Sequence, residues 1–255
     1  MLPVGTLLRL TAAAAATAAL MACASAEDDG SLVDHDEDSD FVEVGGVADG
    51  KADVAGIPTA FDRHLVLSDE LYRTTDAVDA AGLQAFFEDT PYHTRSWLAD
   101  AEFDGHSAAE LLVQVAHEHE VNPLLLLVRM QVEQALVSKT VRPSQARIDA
   151  ALGCGCPDGR GCSASYRGFG RQLTCAAETM NRWYQASIDG TGPWRMGRAR
   201  NTLDPRSVTP RSHATASMYA YTPWVLVGRG GNWLTWNVLR RYAVSLDERG
   251  LLSPP

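Results

Sequence analysis

The chain has 255 residues, 45% hydrophobic and 21% charged, with a formal net charge of −10 at pH 7. The apolar stretch Leu10–Ala22 is shorter than the about 20 residues of a membrane-spanning helix, and outside one acidic segment Arg and Asp/Glu are roughly balanced. Neither an integral membrane protein nor a nucleic-acid partner is therefore expected. The charge is also uneven: from Glu27 to Pro58 eleven acidic residues stand against one basic residue, Lys51, which accounts for the whole net charge and leaves the remainder near neutral.

"MLPVGTLLRLTAAAAATAALMAC" has an early Arg9, an Ala/Leu-rich run and a small residue before Cys23, the pattern of a signal peptide over residues 1–22. "LMAC" (Leu20–Cys23) resembles the lipobox of bacterial lipoproteins. That resemblance implies cleavage before Cys23, acylation of its thiol, and a membrane contact made through that lipid at the outer membrane or cell surface. Without the lipid the protein would be secreted. Residues 23–58 are too charged and too poor in apolar groups to offset the entropy of ordering, so they are expected to form an acidic tether. The remainder, 59–255, is enough chain for one core.

Within it the hydrophobic period is helical. "DAVDAAGLQAFFEDTP" sets Leu83, Phe86 and Phe87 on one face, and "SAAELLVQVAHEHE" opens with a capping box, Ser107 and Glu110. Asn122–Pro123 starts a helix predicted to run through Val137. "SQARIDAALG", "GFGRQLTCAAETMNRWYQASIDG", "SHATASMYAYTP" and "NWLTWNVLRRYAV" supply the others. Only "WVLVG" hints at a strand. The fold class is mainly α, with six to seven helices and little β structure.

With Cys23 assigned to lipid, Cys154, Cys156, Cys162 and Cys175 remain, an even number that in an exported chain reads as two disulfides. Cys154 and Cys156 are too close to pair, and the favoured arrangement is Cys156–Cys162 with Cys154–Cys175. The alternative, a four-cysteine zinc site, lacks paired C-x2-C knuckles. "HEHE" (His117–Glu120) spaces its histidines two apart, not the i, i+4 of a zinc-protease helix. No metal and no cofactor are expected.

The chemistry centres on "NPLLLLVRMQVEQALVS", where Glu133 follows a run in which seven of the eleven residues Leu124–Gln134 are apolar. On a helix its same-face neighbours are Leu126, Arg129, Met130, Leu136 and Val137. Two readings stand open: an i, i+4 pair with Arg129, or a carboxyl group set against an apolar wall that favours the neutral form a general acid needs.

"VNPLLLLVRMQVEQALV" (121–137) resembles a segment of secreted bacterial proteins with a lysozyme-like domain. "ALGCGCPDGRGC" (151–162), "YRGFGRQL" (166–173), "SHATASMYAYTPW" (212–224) and "GNWLTW" (231–236) resemble further family segments in the same order, as does "LSDELYRTTDAVDAAGLQAFFE" (67–88). More distantly the chain resembles the wider lysozyme, lytic transglycosylase and glucosaminidase-like group. The resemblance covers about 170 residues. It implies a lysozyme-like fold and a monomeric glycosidase acting on peptidoglycan or a related amino-sugar polymer, with Glu133 as general acid. It implies that Tyr219 and Tyr221 line the cleft, that Gln172 orients substrate, and that Gln134 accompanies the acid. Tyr166, Phe169, Trp224 and Trp233 would stack on sugar faces, with core packing the equal alternative for Phe169 and Trp233. A second carboxylate, where the reaction uses one, falls to Asp158, with Glu102 and Asp104 behind it. Two departures stand out: Val132 replaces a lysine, and Ser212 replaces an asparagine. The competing expectation is a non-catalytic glycan-binding or envelope-structural lipoprotein on the same fold.

Overall fold

Four of the predicted helices open on a side-chain cap that the structure makes explicit. The protein is seen in a computed structural model that describes residues 54–157 and 161–253. The expected signal peptide, Cys23, nearly all of the expected tether, and Asp158 lie outside those residues. Among the described residues the elements are helices α1 (Asp69–Arg73) and α2 (Ala80–Glu88), a short hairpin β1 (Glu102–Phe103) and β2 (His106–Ser107), then α3 (Ala108–Glu118), α4 (Pro123–Gln134) and α5 (Gln145–Asp149). They continue with α6 (Phe169–Ile188), a second hairpin β3 (Arg200–Asn201) and β4 (Ser207–Val208), α7 (His213–Tyr221) and α8 (Gly231–Glu248). The protein is mainly α-helical, as its period indicates. The helix missing from the sequence reading is α1, five residues capped by the Ser68 side chain and too short to show a period.

Side-chain caps define most starts. The Ser107–Glu110 capping box forms in full, with Ser107 N donating to Glu110 Oε2 at 2.8 Å and Glu110 N to Ser107 Oγ at 3.2 Å. The Asn122 side chain accepts from Leu124 N at 2.9 Å ahead of Pro123, and Ser212 Oγ accepts from Thr215 N at 3.0 Å. Such caps contribute about 1 kcal/mol each. The Asp104–Gly105 turn of the first hairpin has φ of 53° and 84°, the twist that suits a two-residue hairpin loop.

Helix α4 is the centre of the domain: Pro123 through Gln131 are all buried. It packs on α8, while α7 lies along α6, where small residues allow Ser217 Oγ to reach the Met180 carbonyl at 2.7 Å. Both expected disulfides are present, Cys154–Cys175 and Cys156–Cys162.

Three boundaries differ from the sequence reading, each for a physical reason. Helix α4 stops at Gln134, short of Val137, because Ala135 turns left-handed (φ 52°) and the buried Gln131 side chain captures the N–H groups of Val137 and Ser138 at 3.0 and 3.1 Å. The "WVLVG" segment is no strand: the N–H groups of Val225 and Leu226 donate to the Asp204 carboxylate at 3.0 and 2.9 Å. The ordered domain also begins before residue 59. Val54 and Ile57 are buried, and α8 holds the chain there through Arg240 to the Ile57 carbonyl and Trp236 Nε1 to the Pro58 carbonyl.

Candidate active site

Glu133 stands in the last turn of α4, its side chain 30% exposed, and pairs with Arg129, whose side chain is only 2% exposed. Nine consecutive buried residues give Arg129 no solvated face, so its charge must be met inside the domain. Three groups meet it. The Glu133 carboxylate binds Arg129 Nη2. Arg129 Nη1 donates to Thr222 Oγ1 at 3.1 Å, and the guanidinium carbon lies 4.2 Å from the centroid of the Tyr221 ring, a cation–π contact. The wall around Glu133 is thus less apolar than the sequence suggests, with a cation on one side.

The other side is backbone. Gly153 has φ 69°, and a Cβ built on it would lie 2.8 Å from Glu133 Oε2. Here glycine is required twice, for the left-handed backbone and for the close approach. The residues on either side of it are fixed by one side chain. Gln172, fully buried, accepts from Leu152 N and Cys154 N at 3.1 Å each and donates to the Cys154 and Tyr166 carbonyls at 2.7 and 2.8 Å. Tyr221 Oη donates to the Leu152 carbonyl at 3.0 Å, and Cys154 is tied to α6 by its disulfide to Cys175. The contacts close a ring: Glu133 to Arg129, to Tyr221, to Leu152, and through Gly153 back to Glu133.

The sequence-predicted residues divide accordingly. Tyr221 is part of that ring. Tyr219, two positions earlier and so about 200° around the helix, is fully buried and stacks on Trp194 with centroids 4.9 Å apart. Burial, together with the Asp204 charge, pushes its phenol well above the usual range. Gln172 positions the loop, with all its amide capacity used on protein backbone rather than directed at a ligand. Phe169 is buried against Phe103, with centroids 4.2 Å apart. Gln134 and Trp224 are half-buried, Trp233 packs partly buried on the core, and Tyr166 is 42% exposed beside Gly155. Tyr166 borders a groove of about 400 Å³ shared with Asp104, Glu118, Arg171 and Glu178. No hydrogen bond or ion pair among the described residues ties Glu102 or Asp104 to Glu133, and Asp158 lies outside those residues. Among them there is also no group of three or more His, Cys, Asp or Glu side chains arranged to hold a metal ion.

The i, i+4 pair of Arg129 with Glu133, one of the two readings of the sequence, is present; sequence reasoning missed Gly153, Thr222 and the burial of Arg129. The signal for Arg129 was present, since a charged residue inside an apolar run without periodic relief must be buried and paired.

No protein-family model matches the chain, and neither a curated protein nor a solved structure matches it.

Proposed function

We propose that this domain is a lysozyme-like glycosidase acting on peptidoglycan or a related amino-sugar polymer, with Glu133 as its general acid. The observation that carries the reading is a partly exposed carboxylate bound by Arg129 of its own helix and closely approached by the Gly153 loop, with the Tyr221 ring set against that same Arg129. Arg129 anchors Oε1, which leaves Oε2 to carry the proton. That proton passes to the glycosidic oxygen as the C–O bond breaks through an oxocarbenium-like transition state, and Arg129 neutralises the carboxylate left behind. The disulfides suit an oxidising compartment, in keeping with export and a lipid anchor at Cys23.

Purified protein on peptidoglycan tests this reading. Glu133→Gln keeps the shape and an acceptor for Arg129, and is expected to lower muropeptide release by about 10²–10⁴-fold. Anhydro product ends would mark a lytic transglycosylase and reducing ends a hydrolase. A second reading is favoured by the burial of Arg129: Glu133 serves only as its counter-ion, in a non-catalytic glycan-binding or envelope protein. Equal product release from wild type and Glu133→Gln would leave that reading standing.

A further inference from the structure

Away from Glu133, a cavity of about 1080 Å³ opens between the Pro58–Leu65 segment, the second hairpin, and the Val225–Arg229 turn. Four arginines, Arg63, Arg206, Arg211 and Arg229, line it against two aspartates, Asp62 and Asp204. Neither aspartate balances the spare charge. Asp62 is paired with Arg211. Asp204 is taken up by Val225 N, Leu226 N and the Thr202 hydroxyl. His64 Nδ1 is engaged by Thr209 N at 2.9 Å, and Arg63 Nε donates to the Ser207 carbonyl at 3.1 Å. The Arg206 and Arg229 side chains make no hydrogen bond or ion pair with any other described residue, and both are exposed. Behind this wall the buried hydroxyl of Tyr219, on which Asp204, Arg63 and Asp62 all act, also has no partner. Phe61, Leu65, Val225 and Val227 give the cavity an apolar side.

We infer that this cavity binds clustered carboxylates on a peptide-like backbone, received by the planar forks of Arg206 and Arg229. A guanidinium fork matches a carboxylate through two parallel hydrogen bonds, and the apolar side accepts the backbone carrying it. The occupant is the chain's own acidic segment: the eleven acidic residues between Glu27 and Pro58 lead directly to Pro58, on the cavity wall, and their charge is opposite to that of the two arginines. The inference does not depend on the role of Glu133.

The test is calorimetric titration of the full chain with a hexaglutamate peptide at low salt, in two backgrounds: the native sequence, and a variant with Asp34, Asp36, Asp38 and Asp40 changed to Asn and Glu37 to Gln. Binding is expected in at least the second. It should weaken at least about tenfold on adding Arg206→Gln with Arg229→Gln and fall steeply as salt screens the pairs. Both arginines are exposed, so thermal melting should not change. Tighter binding in the neutralised background supports the chain's own segment as the occupant; equal binding in the two backgrounds overturns it and leaves the cavity to an external ligand. No binding in either background, or affinity indifferent to the two arginines, overturns the inference.

Discussion

The Glu133 junction and the arginine-lined cavity treat charge in opposite ways. At the junction a buried guanidinium is met by a carboxylate, a hydroxyl and a ring face, and the neighbouring loop is fixed by a glutamine that uses all its hydrogen-bonding groups on backbone. At the cavity two guanidiniums are left unmatched in solvent. The two lie at opposite ends of one strip of chain. Thr222 touches Arg129, and Leu226 borders the cavity, four residues on and so at most about 14 Å away. Meeting the buried charge at three points fixes a geometry, which catalysis needs, although Arg129 Nε itself has no hydrogen-bond partner among the described residues; leaving cations unmatched keeps a surface open to an anion.

The contrast predicts where substitutions are costly. The largest expected effect is at the junction: Cys154→Ser with Cys175→Ser opens a loop closed over 21 residues and should lower stability by about 3 kcal/mol in urea unfolding. Because Cys154 adjoins Gly153, muropeptide release should fall more steeply with urea than global structure does. Next comes Gly153→Ala. A left-handed alanine costs about 1–2 kcal/mol, and its Cβ must displace the Glu133 carboxylate from 2.8 Å. Product release should fall at least about tenfold while the circular dichroism spectrum is kept. By contrast, Arg206→Ala should change stability by less than about 0.5 kcal/mol. A cavity substitution as costly as Gly153→Ala would erase the distinction between the two regions.

Much of the fold was legible in the sequence because its parts are local patterns. Asn122–Pro123, the Ser107–Glu110 box and the cysteine spacings each state their own structure within a few residues. The choice between Tyr219 and Tyr221 was not legible. Helix α7 is buried from Ala214 to Tyr219, so it has no polar stripe to tell which tyrosine faces Glu133. Gln172 read as a substrate-orienting residue because its partners, the backbone of Leu152 and Cys154, are 20 and 18 residues away and make no sequence pattern. The cavity was invisible for the same reason, being assembled from three separated segments of arginines that each look like ordinary surface residues.

Buried tyrosines give a pH test of the core that carries both regions. Burial raises the phenols of Tyr72, Tyr219 and Tyr242 above their ordinary value of 10.0. A raised folded-state value means stability that is complete below pH 10 and lost as pH rises beyond it, because the unfolded chain ionises first. Absorbance of the phenolates should therefore appear in step with unfolding, and early titration of all three phenols in the folded protein would contradict their burial.

The smallest effect tests the strip that joins the two regions. Burial works to raise the Asp204 pKa, but the N–H groups of Val225 and Leu226 and the Thr202 hydroxyl outweigh it and hold the carboxyl below the usual range. A depressed carboxyl contributes stability that is present above the unfolded value of about 3.9 and is lost as pH falls through the folded one. Asp204→Asn should thus cost about 1 kcal/mol at pH 7, the worth of a hydrogen bond to a charged acceptor at a partly exposed site, and progressively less as pH falls through the folded-state value. Because Asp204 fixes the turn that lines the cavity without touching Arg129, muropeptide release should stay within about twofold. A marked fall in release would show that Thr222–Leu226 moves as one unit and that the two regions are a single site.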